Sequence, residues 1–109
     1  MSTLLWNREF ALEQTAGDEE LLEELLLLFK DSSSQDFEQL CRAADSDDAR
    51  GIVSAAHSIK GAAASLGIEG VRLLALEIET AAREGSVECA LRKKEEMAAL
   101  LADCANLAK

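Results

Sequence analysis

The sequence predicts an all-α protein, an up-down antiparallel four-helix bundle with a short extra helix at its N-terminus. Alanine, leucine and glutamate, which are strong helix formers, dominate the 109 residues, and proline is absent. No stretch alternates apolar and polar residues for long enough to indicate a strand. The connections between helical segments are short, so successive long helices should lie antiparallel. With 49% hydrophobic residues, the chain has enough apolar material for one core in a single domain, residues 1–109.

The first two helices are predicted from their ends and their apolar spacing. Asn7 is a suitable N-cap for a short helix to about Ala16, which Gly17 ends. Asp18 can cap a long second helix that reaches about Ala44. Its inward stripe, with steps of three or four, consists of Leu22, Leu26, Phe29, Ser33, Phe37, Leu40 and Ala44. The helix is expected to continue through the triplet SSS, because a serine hydroxyl can bond to the backbone of its own helix.

Three further helices complete the predicted bundle. The third runs from about Asp47 to Leu66 and the fourth from about Glu69 to Glu84, each followed by a glycine. The fifth is capped by Ser86 and runs nearly to the end of the chain. The predicted inward residues are Ile52, Ala55, Ile59, Ala62, Ala63 and Leu66, then Val71, Leu74, Ile78, Ala81 and Ala82, and finally Val87, Ala90, Leu91, Met97, Ala98, Leu101 and Ala105.

Charge and cysteine content exclude several classes of function. Eleven basic against 21 acidic residues give a net charge of −10, which disfavours nucleic acid or an anionic membrane as a partner. The longest apolar run, residues 25–29, is too short to span a membrane, and the N-terminus lacks the pattern of a signal peptide. Cys41, Cys89 and Cys104 form no C-x-x-C pair and are predicted to be small buried thiols. These features predict a cytoplasmic protein.

The single histidine, His57, lies in the segment AAHSIKGAAASLG at 55–67. With about 100° per residue, it falls opposite the inward positions of the third helix, so it is expected to face solvent rather than the core. Its neighbours on this outer face are Arg50, Ser54, Gly61 and Ala64, with Lys60 to one side. Glycine in a helix interior costs roughly 1 kcal/mol relative to alanine, so Gly61 predicts the close approach of another surface.

An exposed imidazole with a lysine three residues later suits one kind of chemistry. Imidazole is a nucleophile near neutral pH. Lys60 can neutralise negative charge that is placed on the ring, since its ammonium is a compact, mobile cation. The pair is therefore suited to carrying a phosphoryl group on a ring nitrogen of His57.

These residues resemble the histidine-containing phosphotransfer (HPt) domains of two-component phosphorelays. The resemblance rests on AHSIKG at 56–61, on Gly67, on IETAAREG at 78–85 and on GDEELLEELLLLF at 17–29. It implies that His57 accepts a phosphoryl group from an aspartyl phosphate on a receiver domain and passes it to the aspartate of another receiver.

The resemblance also implies roles for the neighbouring residues. Lys60 matches the lysine that helps to stabilise the phosphoryl group, and Gly61 matches the glycine that leaves room for the receiver. Ser54, Ala64 and Arg50 would be docking contacts on the same face. The resemblance places Glu79 and Arg83 at common positions of the fourth helix, and we assign them to structure rather than to chemistry.

The same resemblance implies a phosphocarrier rather than an enzyme, without an ATP site or a cofactor of its own. Mg²⁺ would belong to the partner receiver. In agreement, the sequence contains no glycine-rich phosphate loop and no kinase motif. The expected partners are response-regulator receiver domains, for a chain that is either free or part of a hybrid sensor histidine kinase. A monomer is expected, because the outer faces of the second and third helices must stay accessible.

Four alternatives compete with this interpretation. The first is a helical docking module for receivers that does not transfer phosphoryl groups. The second is a metal site, which the absence of a spacing such as H-x-x-x-H disfavours. The third is a hydrolase with Ser54 or Ser58 as nucleophile, for which no acidic group that would orient His57 is evident. The fourth is a coiled-coil dimer through the second helix, but a four-helix bundle already uses its apolar stripe.

Overall fold

A computed structural model describes residues 4–107, and within this range the chain folds into five helices. They are α1 (Arg8–Gln14), α2 (Glu19–Asp45), α3 (Ala49–Ser65), α4 (Glu69–Arg83) and α5 (Glu88–Cys104). Helix α3 packs between α2 and α4, α5 packs against the same two helices from the other side, and the short α1 packs against α2. The predicted all-α, up-down four-helix bundle with an extra N-terminal helix is confirmed.

The first three helices begin at polar caps, and two of these, Asn7 and Asp18, were predicted. The side chains of Asn7, Asp18 and Asp48 each accept a hydrogen bond from the backbone N–H three residues later. The predicted cap at Ser86 is wrong, because Val87 occupies the cap position of α5 without a side-chain hydrogen bond. The backbone N–H of Ser86 instead donates to the Ala81 carbonyl and closes the end of α4.

Helix α2 continues through its serine triplet, as predicted. Ser33 is buried in the stripe that faces the core, and its hydroxyl donates to the Lys30 carbonyl at 3.3 Å. Ser34 donates to the same carbonyl at 2.8 Å. The hydroxyls are therefore satisfied by the backbone of their own helix.

Helix α5 is rotated relative to its predicted orientation. Leu91 and Ala98, predicted to point inward, are exposed, whereas Leu100, not predicted to point inward, is buried together with Cys89 and Cys104, the two thiols that were expected to be buried. The prediction gave alanines, which are good helix formers at any exposure, the same weight as larger apolar residues.

The cysteines follow the prediction of small internal thiols in part. Cys89 and Cys104 are buried, whereas Cys41 is half-buried, and all three thiols are free. Burial raises the pKa of each thiol, to about 12 for Cys104. None is therefore an activated nucleophile, since the reactive form of a cysteine is the thiolate.

Two hydrogen bonds join the segment that precedes α1 to the turn between α3 and α4. The Trp6 indole N–H donates to the Leu66 carbonyl at 3.0 Å, and the Asn7 backbone N–H donates to the Gly67 carbonyl at 2.9 Å. Gly67 has a φ of +69°, and a Cβ at this position would lie 2.8 Å from the Asn7 carbonyl oxygen. Only glycine combines this backbone conformation with so close a neighbour, so Gly67 ends α3 and also admits the N-terminal segment.

No helix within residues 4–107 is long and apolar enough to cross a membrane.

Candidate functional site

Helix α3 presents His57 on the outside of the bundle. The side chain is 63% exposed, whereas Ile52, Ile59 and Ala63 of the same helix are fully buried. The arrangement follows from the period of the helix, which places His57 opposite the residues that pack into the core. One edge of the imidazole is therefore accessible to solvent, while its Nδ1 is turned toward α4.

A buried carboxylate of α4 lies beneath the imidazole. The Glu79 side chain is only 2% exposed, and its Oε2 lies 3.0 Å from Nδ1 of His57. The Lys60 ammonium lies 2.7 Å from Oε1, and the Arg83 guanidinium lies 2.7 Å from Oε2. We refer to Glu79, His57, Lys60 and Arg83 as the Glu79 cluster.

The two oxygens of Glu79 are partnered differently. Oε2 accepts hydrogen bonds from both His57 and Arg83. Among the described residues, Oε1 has no hydrogen-bond partner of good geometry, although Lys60 lies within 2.7 Å. Because this distance is that of a close ion pair, we regard Lys60 as the counter-ion of Oε1.

The contacts in the Glu79 cluster determine the protonation of the carboxyl. Burial raises the pKa of Glu79, but the contacts with Lys60, Arg83 and His57 lower it by more, to about 2. Glu79 is therefore an ionised carboxylate at neutral pH and can only accept hydrogen bonds. It follows that Nδ1 of neutral His57 carries the proton, which leaves the lone pair of Nε2 on the accessible edge of the ring.

Glu79 and Arg83, assigned from the sequence to structure rather than to chemistry, both lie at the site. Glu79 joins His57 to Arg83, which is one turn further along α4. A signal was present in the sequence, because on a helical wheel Glu79 lies at the edge of the apolar stripe that contains Ile78 and Ala82. A glutamate at such a position needs a partner, but the helical wheel does not identify which residue of another helix supplies it.

The predicted docking residues lie on the same outer face as His57. Gly61 is exposed, and a Cβ at this position would meet nothing within 4 Å apart from its own helix. Ala64 is half-buried and Ser54 and Arg50 are exposed. On the C-terminal side of His57, where Gly61 and Ala64 lie, the outer face of α3 therefore carries only small side chains, whereas Arg50 lies on the N-terminal side.

A shallow groove lies on either side of this face. Toward α4 it is lined by Arg50, Val53, Ser54 and Arg83 among others. Toward α2, a second groove is lined in part by Leu25, Leu28, Ala62 and Ser65. Leu28, a large apolar residue in this second groove, is 63% exposed. Leu25 and Leu28 lie outside the predicted inward stripe of α2, but the sequence did not indicate that they border the face that carries His57.

The described residues 4–107 contain no group of three or more histidine, cysteine, aspartate or glutamate side chains that could hold a metal ion.

The hydroxyl of Ser58, the residue that follows His57 in the sequence, donates a hydrogen bond to Asp36 of α2 at 2.6 Å. That hydrogen bond ties α3 to α2, while the Glu79 cluster ties α3 to α4.

A family model identifies the class of protein to which this chain belongs. The family model described as Hpt domain matches residues 24–108, most of the chain. This chain belongs to the Hpt domain family. An Hpt domain is a phosphotransfer module of two-component phosphorelays rather than a catalytic enzyme.

Two solved structures are similar to this Hpt domain. Histidine-containing phosphotransfer protein B (HptB) from Pseudomonas aeruginosa PAO1 matches with a TM-score of 0.83 and 26% sequence identity, over 98% of this chain and 93% of the other. The HPT domain from a sensor hybrid histidine kinase of Shewanella shares the fold, with a TM-score of 0.77, 22% identity and coverage of 97% and 95%. A search of curated proteins returned no significant match.

Proposed function

We propose that this Hpt domain is a phosphorelay intermediate that carries its phosphoryl group on Nε2 of His57. It accepts the group from an aspartyl phosphate of one receiver domain and passes it to the aspartate of another. The observation that supports this most directly is the contact between Nδ1 and the buried Glu79 carboxylate at 3.0 Å, because it leaves the accessible Nε2 as the nucleophile.

The proposed transfer needs little chemistry from this chain. The lone pair of Nε2 forms a bond to phosphorus, and the bond between phosphorus and the aspartyl oxygen breaks, which returns the carboxylate to the receiver. Nδ1 keeps its proton, so the phosphorylated ring carries a positive charge. Glu79 faces that charge at 3.0 Å and stabilises it. The transfer to the second receiver is the reverse reaction.

The remaining site residues serve the phosphoryl group and the partner. Lys60, three residues from His57 on the same helix, neutralises the phosphoryl oxygens. The chain needs no cofactor, since the Mg²⁺ belongs to the receiver. Gly61 and Ala64 form the low surface on which the receiver rests, with Ser54 and Arg50 at its margin. Leu28, in the groove toward α2, adds an exposed apolar contact to this surface.

The experiment that tests this function is phosphotransfer from a panel of phosphorylated receiver domains to the wild-type domain and to His57→Gln. Label should appear on the wild type alone and should be lost in acid but kept in base, as expected of a phosphohistidine. Ser58→Ala is the matched control, because it changes the adjacent exposed residue and leaves the Glu79 cluster intact; it should accept label like the wild type.

Two results would contradict the proposal. Label on His57→Gln would place the acceptor elsewhere in the chain. A folded wild type that binds receivers but takes no label from any of them would indicate a docking module without phosphotransfer.

A further inference from the structure

The Glu79 cluster has more positive than negative charge. One carboxylate faces two permanent cations, Lys60 and Arg83, in addition to the imidazole. The two cations differ in position, because Lys60 lies at Oε1 whereas Arg83 shares Oε2 with His57. They differ also in exposure, since the Lys60 side chain is 26% exposed and the Arg83 side chain 59%.

This arrangement presents a conflict for Lys60. In the structure its ammonium is committed to Glu79 at 2.7 Å. A phosphoryl group on Nε2 would bring close to two negative charges to the same face of α3, and Lys60 would be drawn toward it. Moving the ammonium away would leave Oε1 of a buried carboxylate without its only close partner among the described residues. Such an uncompensated buried charge is strongly unfavourable.

We propose that Arg83 is a positioning residue that takes over Glu79 as counter-ion when Lys60 turns to the phosphoryl group on His57. A guanidinium has five N–H donors in a planar fork, which can bind both oxygens of a carboxylate at once. Arg83 already contacts Oε2 at 2.7 Å, from one turn away on the same helix. Its largely exposed side chain has room for the small shift that bridging Oε1 requires.

Arg83 thus acts on the phosphohistidine through Lys60, without touching the phosphoryl group itself. The inference rests on the proposed phosphorylation of His57. It explains why a buried glutamate that already has Lys60 as a partner is given a second, exposed cation. A lysine in place of Arg83 would keep the charge but would lose the two-pronged geometry.

The test is the lifetime of phospho-His57 after the donor receiver has been removed. It is measured as first-order loss of acid-labile label from the wild type, Lys60→Gln, Arg83→Gln, Arg83→Lys and the double variant Lys60→Gln/Arg83→Gln. Each single change to glutamine should shorten the lifetime about tenfold, the size expected for one charge-assisted hydrogen bond. The double variant should lose no more than either single variant, because both changes remove the same contact with the phosphoryl group. Arg83→Lys should restore only part of the lifetime.

Arg42→Gln is the matched control. Arg42 forms an exposed pair with Glu38 at the same spacing of four residues, so its removal should leave the lifetime unchanged. Thermal unfolding of every variant checks that the fold is kept. If Arg83→Gln does not fold, Arg83→Lys and the double variant Lys60→Gln/Arg83→Lys replace it: Arg83→Lys should shorten the lifetime, and the double variant should lose no more than Lys60→Gln alone.

Each other outcome overturns the inference in a recognisable way. A wild-type lifetime in Arg83→Gln would show that Arg83 plays no part. A double variant whose loss is the product of the two single losses would show that Arg83 acts independently of Lys60. A folded wild type that takes no label would overturn the proposed function together with this inference.

Discussion

The two sides of α3 pack against their neighbouring helices in different ways. Toward α2, Gly51 fits tightly against Ala43, and the nearby Glu38–Arg42 pair is exposed. Toward α4, the Glu79–Arg83 pair has the same spacing of four residues, yet its carboxylate is 2% exposed and contacts two further side chains. The comparison shows that an Arg–Glu spacing carries little information by itself, because burial and the neighbouring helix determine whether the pair is a surface feature or part of a site.

The largest expected difference between the two pairs is their response to acid. The pKa of Glu79 is lowered from 4.5 to about 2, so the stability that its ionised form contributes is fully present above 4.5 and is lost as the pH falls toward 2. Such a lowering corresponds to roughly 3 kcal/mol of unfolding free energy. We expect the stability difference between the wild type and Glu79→Gln, measured by urea unfolding at a series of pH values, to shrink across this range.

Glu38→Gln is the control for the acid response. Since Glu38 is exposed, its replacement should leave the pH dependence of unfolding close to that of the wild type. If Glu79→Gln and Glu38→Gln showed the same pH dependence, the contacts of Glu79 would not stabilise its ionised form.

A somewhat smaller difference is expected at neutral pH when each glutamate is truncated. Glu79→Ala should lower the free energy of unfolding by about 2 kcal/mol, because it removes a buried side chain and the partner of three others. The loss stays moderate since Lys60 and Arg83 can reach water. Glu38→Ala should cost less than about 0.5 kcal/mol, as is usual for an exposed pair. Chemical unfolding of both variants measures the contrast, and equal losses would mean that burial of Glu79 adds nothing to its contribution.

The same contrast explains which parts of the molecule were predictable. The bundle and the outward position of His57 follow from local hydrophobic periodicity, and the caps at Asn7 and Asp18 follow from the residue type at each helix start. The Glu79 cluster depends on which residues of α3 and α4 lie at the same height, and that register is a long-range property. The orientation of α5 was predicted wrongly for a related reason, because alanine and leucine also occur on outward faces of helices.

A last contrast concerns the two glycines of α3. A Cβ at position 51 would lie 2.6 Å from Oδ2 of Asp48, which caps α3, and 2.8 Å from Cβ of Ala43, so Gly51→Ala should destabilise the protein by about 1–2 kcal/mol through overpacking against the cap and against α2. A Cβ at position 61 meets nothing within 4 Å, so Gly61→Ala should stabilise it by about 0.5–1 kcal/mol through helix propensity alone. Thermal and chemical unfolding of the two variants give the signs. A destabilised Gly61→Ala would show that this glycine is needed by the fold itself; a stabilised one would show that the chain keeps a weaker helix beside His57 although its own packing does not require it, as expected if a receiver must approach there.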